Sequence, residues 1–380
     1  MLYLDANATE PLRPQARAAA LAAMDRLGNP ASIHGPGRAA RRILEEAREA
    51  LAAAFNAVPR NIVFTSGATE ANALAIHALG RDRPILIGAT EHDAVRMAAP
   101  NAIVIPVTAA GLVEAGTLEG LLLRHPGALV CLMAANNETG VLHNLPEAAA
   151  LCAAHGALLH VDAVQAATRA KADWLGLGAA SVAVSGHKAG GPMGAGALLA
   201  APAQAERLTP LLAGGGQEMG RRGGTPALPA IAGMAAAIAL PYPAQIAGWR
   251  DEIAAACEAM GATVVGKAAP RLPNTLCVAL PGVRAETQLI ALDLAGIAVS
   301  AGSACSSGKV ADSHVLAAMG LGALAGQAIR VSLPWNAGPG AVATFIGAYE
   351  AMAARALRGP ARKFSAGRES AGTESSPCRK

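Results

Sequence analysis

The run SVAVSGHKAGGPMGAGALLA, Ser181–Ala200, decides how this chain is read. An apolar, largely β-branched stretch, Val182-Ala183-Val184, ends in Ser185-Gly186-His187-Lys188; a glycine-rich turn follows, and then a second apolar run, Ala195–Ala201. The pattern predicts strand, tight loop, strand, with a lysine at the mouth of the loop. A lysine between two core strands is costly to bury and needs a reason to be there. Desolvation lowers an amine's pKa and makes it a nucleophile toward carbonyls. A lysine on an edge loop, pointing at water, accounts for the same letters, so the neighbouring stretches have to decide.

Working outward, the same grammar recurs. Strand Ile62-Val63-Phe64 runs into Thr65-Ser66-Gly67-Ala68-Thr69-Glu70 and then a helix to about Leu79. Small hydroxyl residues at such a turn aim several N–H groups and a helix N-terminus at one spot, which suits a phosphate; an ordinary capped helix start reads alike. Strand Ile85–Ile87 ends in Thr90-Glu91-His92, strand Ala128–Met133 in Asn136-Asn137-Glu138-Thr139-Gly140, and strand Ala157–Val161 in Asp162-Ala163-Val164-Gln165. With Ser185–Lys188 that makes five polar strand ends. In an open α/β sheet ligands bind beyond the carboxyl ends of the strands, so a site explains five such ends better than chance does.

The remaining segments frame this sheet. Tyr3–Thr9 reads as a short strand-like entry, followed by a helix Pro14–Leu27, a loop Pro30–Gly37 and an amphipathic helix Arg38–Phe55. Gly35-x-Gly37 lacks a third glycine and follows no strand, so it fails as a dinucleotide fingerprint and reads as loop punctuation. Leu211–Thr225 is a glycine-dense stretch whose plain reading is a flexible surface connector. The strand–helix rhythm gives way near residue 240. The expected division is an N-terminal segment 1–14 packing with a smaller domain, a large domain 15–240, a smaller α+β domain 241–358, and a disordered tail 359–380. Within the smaller domain Gly308-Lys309 mimics the end of a P-loop, but Ser303 and Val310 break the motif. What that loop does offer is Cys305 among small hydroxyl residues, where a thiol is expected to be accessible. Arg330 sits inside the apolar strand Ile329–Leu333, which implies that it points at a charge.

Composition narrows the class. The 380 residues are 53% hydrophobic, but alanine inflates that figure, and prolines 226, 229, 241 and 243 break up the charge-free run Thr225–Trp249. No membrane span or signal peptide is read. The six cysteines (131, 152, 257, 277, 305 and 378) form no C-x-x-C pair, which argues against a metal site or disulfide framework and for a reducing, cytoplasmic setting. The formal charge of +4 comes from residues 355–380, which hold seven Lys/Arg against two Asp/Glu. The body is near neutral, so no nucleic-acid partner is expected for it.

Assembled, the strand ends offer a lysine able to form a Schiff base (Lys188), a phosphate cradle (Ala68, Thr69, Ser185, His187), a carboxylate after a buried strand (Asp162) and an imidazole able to lie on a ring (His92). That set matches what pyridoxal 5′-phosphate requires. The chain also resembles the cysteine desulfurases of the NifS/IscS type, class-V aminotransferases of the fold-type I group, over about residues 2–357. The resemblance rests on YLDANAT (3–9), GNPASIHGPGRAAR (28–41), VFTSGATEAN (63–72), TEH (90–92), NNETG (136–140), HVDAVQ (160–165), SGHK (185–188), GGGQE (214–218), SAGSAC (300–305) and IRVSL (329–333).

It implies an α/β fold with a mostly parallel, seven-stranded sheet flanked by helices and a smaller C-terminal domain. Lys188 would hold the cofactor, Asp162 would pair with its pyridine nitrogen, and His92 would stack on the ring. Gln165 and Asn137 would bond the ring oxygen and the substrate carboxylate region. Ala68, Thr69, Ser185 and His187 would hold the phosphate, joined by Thr225 of the partner in a homodimer. Arg330 would clamp the carboxylate of L-cysteine and Cys305 would take its sulfur, to be passed to an acceptor such as an iron–sulfur scaffold protein. A selenocysteine lyase, another class-V enzyme or a catalytically idle binding paralogue are the competing readings. Ala73, Trp335 and Gly224-Thr225-Pro226-Ala227 depart from the pattern of the group.

Overall fold

The computed structural model describes residues 1–304 and 310–357. Cys305, Cys378 and the tail expected at 359–380 lie outside the described residues.

A short strand, β1 (Leu2–Tyr3), leads into the chain. Seven strands then build the central sheet: β2 (Ile62–Thr65), β3 (Ile85–Gly88), β4 (Ile103–Ile105), β5 (Leu129–Met133), β6 (Leu158–Asp162), β7 (Ser181–Ser185) and β8 (Gly196–Ala200). Their order is β2-β8-β7-β6-β5-β3-β4; β8 alone runs against its neighbours β7 and β2, and the other pairings are parallel. Because β2, β3, β5, β6 and β7 all point the same way, Thr65, Gly88, Met133, Asp162 and Ser185 come out at one edge. The mostly parallel sheet read from the sequence is the one observed.

Helices cover both faces, which is why these strands are apolar throughout rather than alternating. In β5, Leu129 and Cys131 pack toward helix Ala68–Leu79, while Val130 and Leu132 face the opposite core with Leu44, Leu51 and Phe55. Successive side chains alternate between faces, so one five-residue strand joins two cores.

The later strands are β9 (Thr263–Val264), β10 (Thr275–Ala279), β11 (Ile297–Ala298), β12 (Ser300–Ala301), β13 (Ser303–Ala304), β14 (Val310–Ala311) and β15 (Ala328–Ser332). An antiparallel sheet of order β12-β15-β10-β9 packs against helices Ile246–Ala259, Ala285–Leu294 and Pro339–Leu357 around Phe345, Tyr349 and Val331. Leu4 is buried in this second core, and β1 pairs in parallel with β11.

Three local expectations need correction. The helix expected from Arg38 starts at Gly35: His34 caps it, accepting the Gly37 N–H at 3.2 Å on Nδ1, and Pro36 suits the first turn, so Gly35-Pro36-Gly37 is helix rather than loop. The helix from Pro14 stops at Met24, short of Leu27. The stretch 211–225 is no free connector. Glu218, at its centre, is buried against Arg48 with bonds of 2.8 and 2.9 Å and also accepts the Phe64 N–H at 2.9 Å. Strand β4 was not anticipated; three residues are too few for a periodicity to show.

Candidate active site

Lys188 stands at the end of a short 3₁₀ turn, Gly186–Lys188, directly after β7. Its Nζ donates to the carbonyls of Asn7 and Ala8, each at 2.7 Å. The N-terminal segment lies along this loop, with Glu10 N–H on the His187 carbonyl at 3.0 Å and Arg13 N–H on that of Gly190 at 2.8 Å. Burial and the neighbouring guanidinium groups of Arg330 and Arg169 lower the Lys188 pKa to about 8, against the opposing pull of Asp5 and Asp162. An amine so placed is neutral, and nucleophilic, far closer to neutral pH than an ordinary lysine.

Around Lys188 lies a cavity of about 640 Å³. Of the residues read from the sequence, its walls hold Ala68, Thr69, His92, Asn137, Asp162, Gln165, Ser185, His187 and Arg330. Thr225 is exposed and lies apart from the cavity of its own chain.

Asp162 reaches the cavity from the end of β6. One oxygen accepts the Asn72 side-chain N–H at 2.7 Å and the other the Val164 backbone N–H at 3.0 Å. Behind it Asn72 Oδ1 meets His160 Nε2 at 2.9 Å, and His160 Nδ1 meets Ser181 Oγ at 2.8 Å. This buried chain fixes the carboxylate's orientation. Burial raises the pKa of Asp162, while the Val164 and Asn72 bonds, His92 and Lys188 pull it back. His92 is held by its own backbone, its Nδ1 accepting the Ala94 N–H at 3.0 Å.

The turn Ser66-Gly67 opens helix Ala68–Leu79, whose first N–H groups have no acceptor inside the helix. Strand β8 passes directly beneath: a Cβ on Gly196 would stand 2.5 Å from the Gly67 carbonyl carbon and 2.9 Å from Ala68 N. Only glycine leaves room for the turn to sit this low. Ser185 and His187 flank it, and burial with the adjacent Lys188 lowers the His187 pKa to about 4, leaving a neutral ring bonded to Thr9 Oγ1 at 2.9 Å.

The opposite wall comes from elsewhere in the chain. Arg330, from β15, donates to Asp5 Oδ1 at 2.6 Å and to the Asn137 carbonyl at 3.1 Å, and its buried Nε has no partner among the described residues. Gln165 is held at both ends: its Nε2 donates to the Asn7 carbonyl at 3.0 Å and its Oε1 accepts from Arg169. Arg169 is in turn paired with buried Glu10 at 2.9 Å, and Glu10 also accepts the Tyr242 hydroxyl at 3.0 Å and the Trp335 N–H at 3.2 Å. Trp335 stacks over the Arg13 guanidinium at 5.2 Å and donates to the Pro11 carbonyl, so this departure from the pattern packs the N-terminal segment.

The sequence reading did not find Asp5, Asn7, Asn72, Glu138 or His314 as wall residues. Asn72 had a signal, one helical turn beyond Ala68 on the face that meets the sheet; the others are positioned only by the tertiary fold.

The geometry now has relatives to be set beside. An IscS-like cysteine desulfurase of Mycobacterium tuberculosis is 34% identical over 360 residues, covering 88% of this chain and 91% of the relative. Among solved structures, a NifS-like protein from Rickettsia africae superposes with a TM-score of 0.85 at 34% identity, covering 93% of this chain and 99% of that one. A structure described as SspA in complex with cysteine gives 0.77 at 29% identity, over 88% and 99% of the two chains. The aminotransferase class-V pattern itself matches residues 2–339. From its central sheet to the wall built by β15, the chain belongs to the class-V aminotransferase family, among the cysteine desulfurases of the NifS/IscS type.

Proposed function

We propose that this chain is a pyridoxal phosphate-dependent cysteine desulfurase that converts L-cysteine to L-alanine and carries the sulfur away as a persulfide on Cys305. One observation carries the reading: an amine with a lowered pKa, a buried and oriented carboxylate, and an arginine with a free buried N–H face a single cavity.

The donor set fits the cofactor. Lys188 would anchor it, Asp162 would hold a proton on its pyridine nitrogen, and His92 would lie along the ring. The first-turn N–H groups of Ala68 and Thr69, with Ser185 and His187, would take its phosphate, and Thr225 of a partner subunit would complete that cradle. When bound, pyridoxal phosphate supplies an electrophilic carbon for amines and a cationic ring that takes up an electron pair from the substrate's Cα.

The protein's own part follows from charge and position. Arg330 would bind the cysteine carboxylate, which must compete with Asp5 for the guanidinium. Once off the Asn7 and Ala8 carbonyls, neutral Lys188 Nζ would accept the Cα proton and return a proton on the way to alanine. The Cys305 thiolate would attack the substrate sulfur: the S–S bond forms as the Cβ–S bond breaks, and the freed electron pair passes to the alanine fragment. Gln165 and Asn137 would keep the ring oxygen and carboxylate in register.

The same reading has a small domain 241–358 carrying Cys305, a large domain 15–240, and a homodimer; exposed Leu21, Met24, Leu27 and Ile33 support the last. It has a cytoplasmic enzyme handing sulfur to an acceptor such as an iron–sulfur scaffold; no helix among the described residues is long and apolar enough to cross a membrane.

The deciding experiment feeds cysteine to the parent and to Cys305→Ser. The parent should release alanine and show a persulfide on Cys305 by mass spectrometry. The serine variant should load cofactor normally and make almost no alanine. Release of selenide from selenocysteine without alanine from cysteine would overturn this reading in favour of a selenocysteine lyase.

A further inference from the structure

Glu138 occupies a position that neither cofactor nor substrate binding explains. It lies in the loop after β5, and its backbone is fixed by the Asn136 side chain, whose Oδ1 accepts the N–H groups of Glu138 and Thr139 at 2.9 Å each. The Glu138 side chain faces the chain just after β12 and just after β14. There its Oε2 accepts the Ser313 hydroxyl at 2.5 Å. The same oxygen lies under Gly302, where a Cβ would come within 2.1 Å of it.

Gly302 and Ser313 are the two feet of one excursion of the chain. Just above them β13 and β14 pair antiparallel, Ser303 with Ala311 and Ala304 with Val310. Cys305 is the residue bonded to Ala304. On the descending side Ser313 also caps helix His314–Ala318, accepting the Leu316 N–H at 3.1 Å, so its hydroxyl is fixed from both directions. A single carboxylate oxygen therefore touches both feet of the hairpin and ties them to the wall of the active-site cavity. Burial raises the Glu138 pKa, while the Ser313 hydroxyl, His314, Arg330 and His92 draw it down.

We propose that Glu138 is a positioning residue for sulfur transfer: its side-chain oxygen clamps Gly302 and Ser313 and so fixes the points from which the chain leads to Cys305 and back. The bond needs an acceptor oxygen, not a negative charge, because the serine hydroxyl is the donor. Glycine at 302 is the matching requirement, since any side chain there would displace the carboxylate.

The proposal rests on the desulfurase reading for its catalytic meaning, but its geometry can be tested without turnover. In the full-length holoenzyme, the rate of Cys305 alkylation by iodoacetamide reports how the hairpin is held. Glu138→Ala and Ser313→Ala should each alkylate about tenfold faster than the parent, with the bound-cofactor absorbance unchanged. Glu138→Gln, which keeps an acceptor oxygen, should restore the parent rate. In turnover, Glu138→Ala should lose kcat for alanine formation by about tenfold with little change in KM. If Glu138→Ala fails to fold, Ser313→Ala carries the same test. An unchanged alkylation rate in a folded Ala variant, or a Gln variant as fast as Ala, overturns the clamp. A parent that makes no alanine from cysteine overturns the desulfurase reading instead and leaves the alkylation result to judge the clamp.

Discussion

Two stretches meet at Lys188, and they differ in how they are built. The loop Ser185–Lys188 takes its shape locally, from the end of β7, a 3₁₀ turn and the return into β8, before any remote contact is added. The segment Asp5–Glu10 has almost no structure of its own, yet it supplies the two carbonyls on Lys188, the carboxylate on Arg330 and the carboxylate on Arg169. On the proposed function, one stretch would carry the chemistry, and the other would set the charges and contacts in which it works. A reactive group is marked by its own letter, whereas its environment is made by residues remote in sequence.

The largest expected effect tests the first stretch. Lys188→Ala should lose all cofactor fixable by borohydride, and alanine formation should fall by at least about a thousandfold. Peptide mapping of the reduced parent checks the assignment, and fixation at another lysine would break the comparison at its root.

The second effect falls on the supporting segment. Glu10→Ala leaves Arg169 buried without its counter-charge and should cost about 3–5 kcal/mol of stability, measured by denaturant melting. A loss below about 1 kcal/mol would mean that Glu10 is no more than filler.

The smallest effect is the most discriminating. Asp5 raises the Lys188 pKa, so Asp5→Asn should lower it from about 8, and the neutral amine should become available at lower pH. The midpoint for cofactor capture by apoprotein, followed by borohydride fixation across pH, should move toward acid by less than about one unit. A midpoint that stays put, or moves toward alkaline pH, would confine the segment to packing.

These differences also explain what could be read in advance. Val182–Val184 and Leu129–Met133 announce themselves as buried strands because both faces are covered, and the polar letters that end them fall at one sheet edge for that reason. That Lys188, Asp162 and His92 share one cavity was therefore legible. Asn7 and Ala8 act through backbone carbonyls, which every residue possesses, so no letter distinguishes them. Glu218 was hidden in a glycine-rich run because its partner, Arg48, lies 170 residues away. His34 was missed as a cap because imidazole is an uncommon residue there and Gly35-Pro36-Gly37 looks like a break.

The long reach of the N-terminal segment has a consequence for synthesis. Asn7 N–H bonds to Ser332 Oγ across 325 residues, and β1 needs β11 for its pairing. On the ribosome, the elements of the central sheet can dock while these residues still lack their partners in β11 and β15. These contacts are thus among the last to form. The Asp5–Arg330 pair and the Asn7–Ser332 bond beside Lys188 can form only after β15 has emerged, so a nascent chain stalled before that strand should hold its amine in a different environment from the finished protein.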